Sequence, residues 1–191
     1  GGCSTTSIYA FIAAAPFIIA GQLHRPLPEV GLYLGLLMLG MALGNAATRY
    51  LVRRVMLERI LIAANALSVA SALALLAVVL LGDLTVVGAV GLMFLFALGA
   101  GAASPAALTK ALGVDARLVG SAAGLYGFTQ MAVGALCTSL VGIGHSAALA
   151  SAVILTVAAA LGQAGFWVGV RCERTAPDQS RHDGVLRGDA S

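Results

Sequence analysis

Charge is scarce in this chain of 191 residues. Only 10% of it is Asp, Glu, Lys or Arg, where an ordinary soluble domain carries about 25%. Aromatics are few at 6%, and 60% of the residues are apolar. A water-soluble domain is excluded, because no solvated face can be assembled from such segments. The three cysteines, Cys3, Cys137 and Cys172, stand alone with no paired Cys or His spacing, so no metal or redox centre is expected. No cofactor is implied. The net charge of +3 is too small to argue for nucleic acid, and the bases are better explained by contact with lipid. The first apolar run does not read as a secretory leader, since no basic stretch precedes it and it opens on the polar Ser4–Ser7, and further residues are expected before Gly1.

What is present is six apolar stretches: Cys3–Leu23, Gly31–Tyr50, Ile60–Leu81, Thr85–Leu108, Leu118–Gly144 and Ala147–Val170. A bilayer core of about 30 Å needs roughly 20 apolar residues per helix, so each predicts a membrane span. Threading them back and forth sorts the bases. Arg25 alone follows the first span. Arg49, Arg53, Arg54 and Arg59 follow the second, Lys110 and Arg117 the fourth, and Arg171, Arg174, Arg181 and Arg187 the sixth. Ten of eleven bases thus share one side. Lys and Arg stay on the cytoplasmic side of short loops, which places the C-terminus there and, with an even number of spans, Gly1 as well. The segment 171–191 mixes Arg with Asp and Glu and carries Pro177, and is expected to be a solvated, disordered tail.

Inside the spans no Asp, Glu, Lys, Arg or His lies deep. Ionisable groups within a membrane mark proton and ion pathways, so this chain supplies no carboxylate relay of its own. Neutral polar groups remain: Tyr9, Asn65, Ser68, Ser104, Tyr126, Thr129, Gln130 and Gln163. Tyr126 and Gln130 are four apart and share a helix face, which Gly134 continues. They fit either the lining of a cavity or a single interhelical hydrogen bond. Small residues recur at spacings of four, in Gly31/Gly35, Gly40/Gly44 and Gly120/Gly124, and suit close helix packing or sliding surfaces. Pro16 and Pro105 lie within spans and favour kinks. Ser104 with His145 does not make a nucleophile and base. Ser104 lies near one end of its helix and His145 in the turn at the opposite surface. No catalytic role is assigned, and the chain is not expected to be an enzyme.

One loop is more specific. Gly44-Asn45-Ala46-Ala47-Thr48-Arg49-Tyr50-Leu51-Val52-Arg53-Arg54 resembles the cytoplasmic signature loop of the major facilitator superfamily. Gly44, Ala47, Arg49 and Arg53 match, while Thr48 replaces the motif's Asp and Leu51 its second Gly. Three further stretches, around Tyr9–Phe17, Gly101–Leu112 and Gly120–Leu136, look like the C-terminal half of bicyclomycin-resistance-type drug efflux proteins. The resemblance covers about residues 7–170. It implies an all-α membrane domain of six helices, in two inverted three-helix repeats over 1–81 and 82–170. It also implies that six further helices, with the coupling acid, precede Gly1. Tyr9, Phe11, Tyr126 and Gln130 would line a cavity for a small-molecule substrate, with protons driving export. Gly44, Arg49, Arg53 and Arg54 would belong to a gating loop on the cytoplasmic face. The competing expectation is a stand-alone six-helix protein that dimerises as a scaffold or pore.

Overall fold

The computed structural model describes residues 2–113, 119–142 and 146–175. Its elements, in order, are α1 (Gly2–Thr6), α2 (Ile8–Pro16), a π-helical stretch Phe17–Gln22, α3 (Leu27–Leu51), α4 (Leu57–Leu81), α5 (Val86–Leu112), α6 (Val119–Val141) and α7 (Ala147–Thr175). No strand occurs among the described residues. The helices from α3 to α7 are each long and apolar enough to cross a membrane, and the architecture is that of a multi-pass membrane protein. Arg117, His145 and the tail beyond Thr175 lie outside the described residues. The last helix runs five residues past Val170, so the first turn of the expected tail is helical.

The first apolar stretch departs from the expected single helix. Ser7 drops out of the helical pairing, although its φ of −58° and ψ of −24° stay helical. Pro16 then ends the α-winding. Proline has no N–H to give and crowds the preceding turn. Beyond it the coil widens, with the amide of Leu23 donating to the carbonyl of Ile18 at 2.9 Å. The kink expected at Pro16 is therefore a change of winding. Pro105 behaves differently, since α5 continues through it to Leu112.

Ends are set by local chemistry. Gly82 closes α4 at a positive φ of 76°, a conformation that costs an L side chain steric strain. Three residues later the Thr85 side chain accepts the amide of Gly88 at 3.1 Å and caps α5. Opposite ends of the bundle are tied separately. Glu58 and Lys110 pair at 3.1 Å where α4 begins and α5 ends. Gln22 donates to Ser146 at 3.3 Å at the other end, where Arg25 pairs with Glu29 at 3.3 Å.

Packing centres on α5. It lies between α3 and α4, and α4 in turn meets α7. The first helical stretch, α1 and α2, lies against α6 and α7. The first helix of each three-helix set thus packs on the second and third helices of the other set. Contact within each set is slight.

Glycines make the α5 contacts. A Cβ on Gly44 would overlap the carbonyl oxygen of Leu98, and one on Gly101 the carbonyl oxygen of Met41. A Cβ on Gly99 would stand 2.5 Å from the carbonyl oxygen of Ala64, and one on Gly40 2.9 Å from that of Phe94. Gly40/Gly44 is therefore a backbone contact between α3 and α5. By contrast, Gly31, Gly35, Gly120 and Gly124 face open space.

Neutral hydrogen bonds cross the same contacts. Thr48 donates to the carbonyl of Ala102 at 2.8 Å, and Ser68 to that of Phe96 at 3.1 Å. Asn65, fully buried, donates to Gln163 at 2.7 Å and to the carbonyl of Ala159 at 3.2 Å, joining α4 to α7. Because Leu98 and Met41 present backbone, which cannot swing aside, Gly44→Ala and Gly101→Ala are expected to destabilise the bundle by about 3 kcal/mol or more. Gly35→Ala, in open space, should change stability by less than about 0.5 kcal/mol. Unfolding of the three variants in mild detergent checks this, and equal effects at all three positions would contradict it.

Candidate functional site

The four residues expected to line one cavity do not come together. Phe11 is 2% exposed and fills the core beside Ile18, Leu75 and Ala89. Its side chain is packed inside this bundle. The reason is its register: residues 9 and 11 of one helix project about 200° apart, so when Tyr9 faces outward Phe11 faces in.

Tyr126 and Gln130 do share a face, and that face lies against the start of the chain. Gln130 donates its side-chain amide to the Thr5 hydroxyl at 2.9 Å. The Tyr126 hydroxyl, one turn earlier on α6, is buried and lies close to the same Thr5 hydroxyl. The Ser7 hydroxyl is buried and has no hydrogen-bond partner among the described residues. Thr5, Thr6 and Ser7 are all nearly inaccessible. The result is a narrow polar seam between α1 and α6, in which Thr5 meets Gln130 and Tyr126. Thr5 was not among the sequence candidates. The signal was visible as the polar run Ser4–Ser7, which the sequence offered only as an argument against a leader.

Tyr9 takes a different place. It is 43% exposed and stands at a hollow of about 310 Å³ between α2 and α6. Ile12, Ala13, Met131, Gly134, Ala135 and Thr138 complete the wall. The Thr138 hydroxyl is spent on the carbonyl of Gly134 at 2.9 Å, which leaves the Tyr9 hydroxyl as the free polar group of the hollow. Gly134 admits the ring: a Cβ there would lie 3.1 Å from Cδ2 of Tyr9. The hollow is therefore aromatic and aliphatic, without a charged side chain. It suits a neutral, largely apolar small molecule.

The remaining polar candidates are internal to the bundle. Asn65, Ser68 and Gln163 join helices as described above, and Thr129 returns its hydroxyl to the carbonyl of Leu125 at 2.8 Å. Ser104 lies half-buried in α5. Among the described residues no cluster of three or more His, Cys, Asp or Glu could hold a metal.

The motif residues also separate. Gly44 and Thr48 lie inside α3, packed on α5, so Gly44 is a helix-contact residue and not part of a loop. Arg49 is in the last turn of α3, and Arg53 and Arg54 lie in the short connection to α4. All three are exposed at the end where Glu58 meets Lys110. No family model, curated protein or solved structure matches the chain.

The α1–α6 seam has a measurable energy. Thr5→Val leaves the Gln130 amide without its acceptor, and Gln130→Leu removes the donor. In a double-mutant cycle the two should couple by about 0.6–1.7 kcal/mol, the range of side-chain hydrogen bonds between membrane helices. Denaturation of the four proteins in detergent measures it, and strictly additive effects would show that the bond contributes nothing.

Proposed function

We infer that this chain is the C-terminal half of a twelve-helix membrane transporter of the major facilitator type. It would export drugs or other small amphiphilic molecules in exchange for protons. The observation that carries the reading is the exchange of partners in the bundle, in which the first helix of each triplet packs on the later helices of the other. Two three-helix repeats of inverted topology, nested in one half of such a transporter, would pack this way. The triplets, residues 1–81 and 82–170, are those of the sequence reading.

The motif supports the reading from another direction. Arg49, Arg53 and Arg54 stand together at one end of the bundle, taken as the cytoplasmic one, in the connection where the gating loop belongs. Thr48, in place of the motif's Asp, directs its hydroxyl into the half itself and leaves no carboxylate to latch another domain. That fits a worn second copy of the motif.

Two spans are conspicuously uncovered. Within their most apolar stretches only 22% of α3 and 17% of α6 is buried, against 56% of α5. Both carry glycines that face open space. These faces are where the other half would rest, and the Tyr9 hollow opens between α2 and α6 beside them. The carboxylates of the spanning helices, Glu29 and Glu58, stand in the first turns of α3 and α4 and none lies deep in a span, so the coupling acid would sit in the other half. Rocking of one half against the other would then expose the hollow alternately to the two sides.

The coding sequence before Gly1 is the first check. It should encode six more apolar spans with an acidic residue in one. The joined chain in proteoliposomes should move a lipophilic dye against a proton gradient, and the 191-residue chain alone should not. A chain that starts at Gly1 and forms a stable dimer in detergent would replace this reading with the stand-alone scaffold or pore. Robust antiport by the 191-residue chain by itself would overturn it as well.

A further inference from the structure

Three successive turns bring the start of the chain and α6 to the hollow beside Tyr9. Thr5 meets Gln130, Tyr9 meets Gly134 one turn on, and Ile12 and Ala13 share a wall with Thr138 one turn further. The two helices therefore run parallel here. Ala13, Gly134 and Ala135 add little beyond backbone to the wall, so its bulk comes from Tyr9, Ile12 and Met131.

We propose that Tyr9 is the recognition residue of this hollow, that it selects compact neutral molecules with one hydrogen-bond acceptor on an apolar body, and that Gly134 is the positioning residue that seats its ring. The assignment rests on the reading of the hollow as a substrate site and gives that substrate a chemistry. At about 310 Å³ the hollow stands at the lower end of the roughly 300–1,000 Å³ of small-molecule sites, so a body of about two rings fills it. No charged side chain lines it, and an ion entering would lose its hydration for no counter-charge. Among the lining side chains Thr138 has spent its hydroxyl on the carbonyl of Gly134, which leaves the phenol of Tyr9. A phenol hydroxyl turns about its C–O bond and donates to whatever acceptor arrives. A ligand with a single carbonyl or ether oxygen satisfies it. A ligand with several polar groups leaves the rest unpaired against an apolar wall.

Gly134 sets where that hydroxyl lies. A Cβ at this position would stand 3.1 Å from Cδ2 of Tyr9 and 3.5 Å from Cβ of Thr6. The first distance is tighter than ordinary contact, so something must yield. Thr6 is 2% exposed and packed, which leaves its helix no room to retreat. The adjustment falls on the half-exposed ring of Tyr9, and the hydroxyl at its far end moves with it. Hydrogen bonds weaken steeply with misalignment, so a small turn of the ring costs the donor its aim.

Equilibrium dialysis on the full 191-residue chain in nanodiscs, with empty nanodiscs subtracted, tests this. The probes are benzophenone and diphenylmethane, two-ring molecules that differ at the central carbon, a carbonyl in one and a methylene in the other. Benzophenone should bind about fivefold more tightly, as one hydrogen bond provides. Tyr9→Phe should abolish that preference and leave diphenylmethane within about twofold of its original affinity. Gly134→Ala keeps every polar atom, yet should cut the preference below about twofold, a change in ratio that general loss of packing would not produce. Ala135→Phe, on the exposed part of the wall, should weaken both probes about tenfold by filling the hollow. If Gly134→Ala does not fold, the other two variants decide. Equal binding of the two probes, a preference that survives Tyr9→Phe, or indifference of both probes to Ala135→Phe would overturn the assignment, and a preference intact in Gly134→Ala would overturn the role of Gly134. Neither a proton gradient nor a second half enters the measurement. A stand-alone pore with the preference would thus refute transport alone, and a transporter without it would refute only this assignment.

Discussion

Backbone-to-backbone contact between α5 and its two neighbours is the constraint on which this bundle depends. Lipid tails are as apolar as leucine, so helices in a membrane gain little by burying leucine against leucine. They gain by approaching closely enough for extensive dispersion contact. Gly44 and Gly101 let α3 and α5 meet at carbonyl oxygens, and Gly99 does the same for α4 and α5. Ala100, Ala103 and Ala106 continue the small surface, all of them fully buried. One helix built from small residues thus organises two others, and α4 carries the arrangement on to α7.

Close approach also brings carbonyls within reach of short side chains. Thr48 and Ser68 each send a hydroxyl across such a contact, and Asn65 bridges to Gln163 where α4 and α7 meet. None of these groups is charged, so none carries the desolvation cost that a buried ion would. They select one register between helices that dispersion alone would leave free to slide. The other side of the molecule is less constrained. There the first helical stretch changes winding at Pro16, and α6 is the least covered of the long helices. The tight side and the loose side are related by exchange of the two triplets, but only one is built on glycine contacts.

Most of the long helices were legible from run length, since a span needs length and apolarity, which single residues report additively. The start of the fourth apolar stretch at Thr85 was legible too, and it coincides with the cap of α5. The first span was not, because a continuous apolar run does not disclose how a proline will be accommodated. Glycine spacing was ambiguous for the same kind of reason. Gly31/Gly35 and Gly40/Gly44 look alike in sequence, and only the position of α5 separates a filled notch from an empty one. The burial of Phe11 was not legible, because membrane helices are apolar all round, so periodicity does not tell an inward face from an outward one. Thr5 went unnoticed because its partner, Gln130, is 125 residues away.

By itself the sequence determined that this is an all-helical membrane chain, since apolar length and scarcity of charge are properties of composition and order. It determined too which residues are small enough to allow contact and which are polar enough to need a partner. The tertiary structure alone decided which of those opportunities are used. It set Gly44 and Thr48 against α5, and turned Phe11 into the core and Tyr9 out to a hollow. Each of these depends on the relative rotation of two helices. Rotation is fixed by packing between distant segments, which neither composition nor local pattern records.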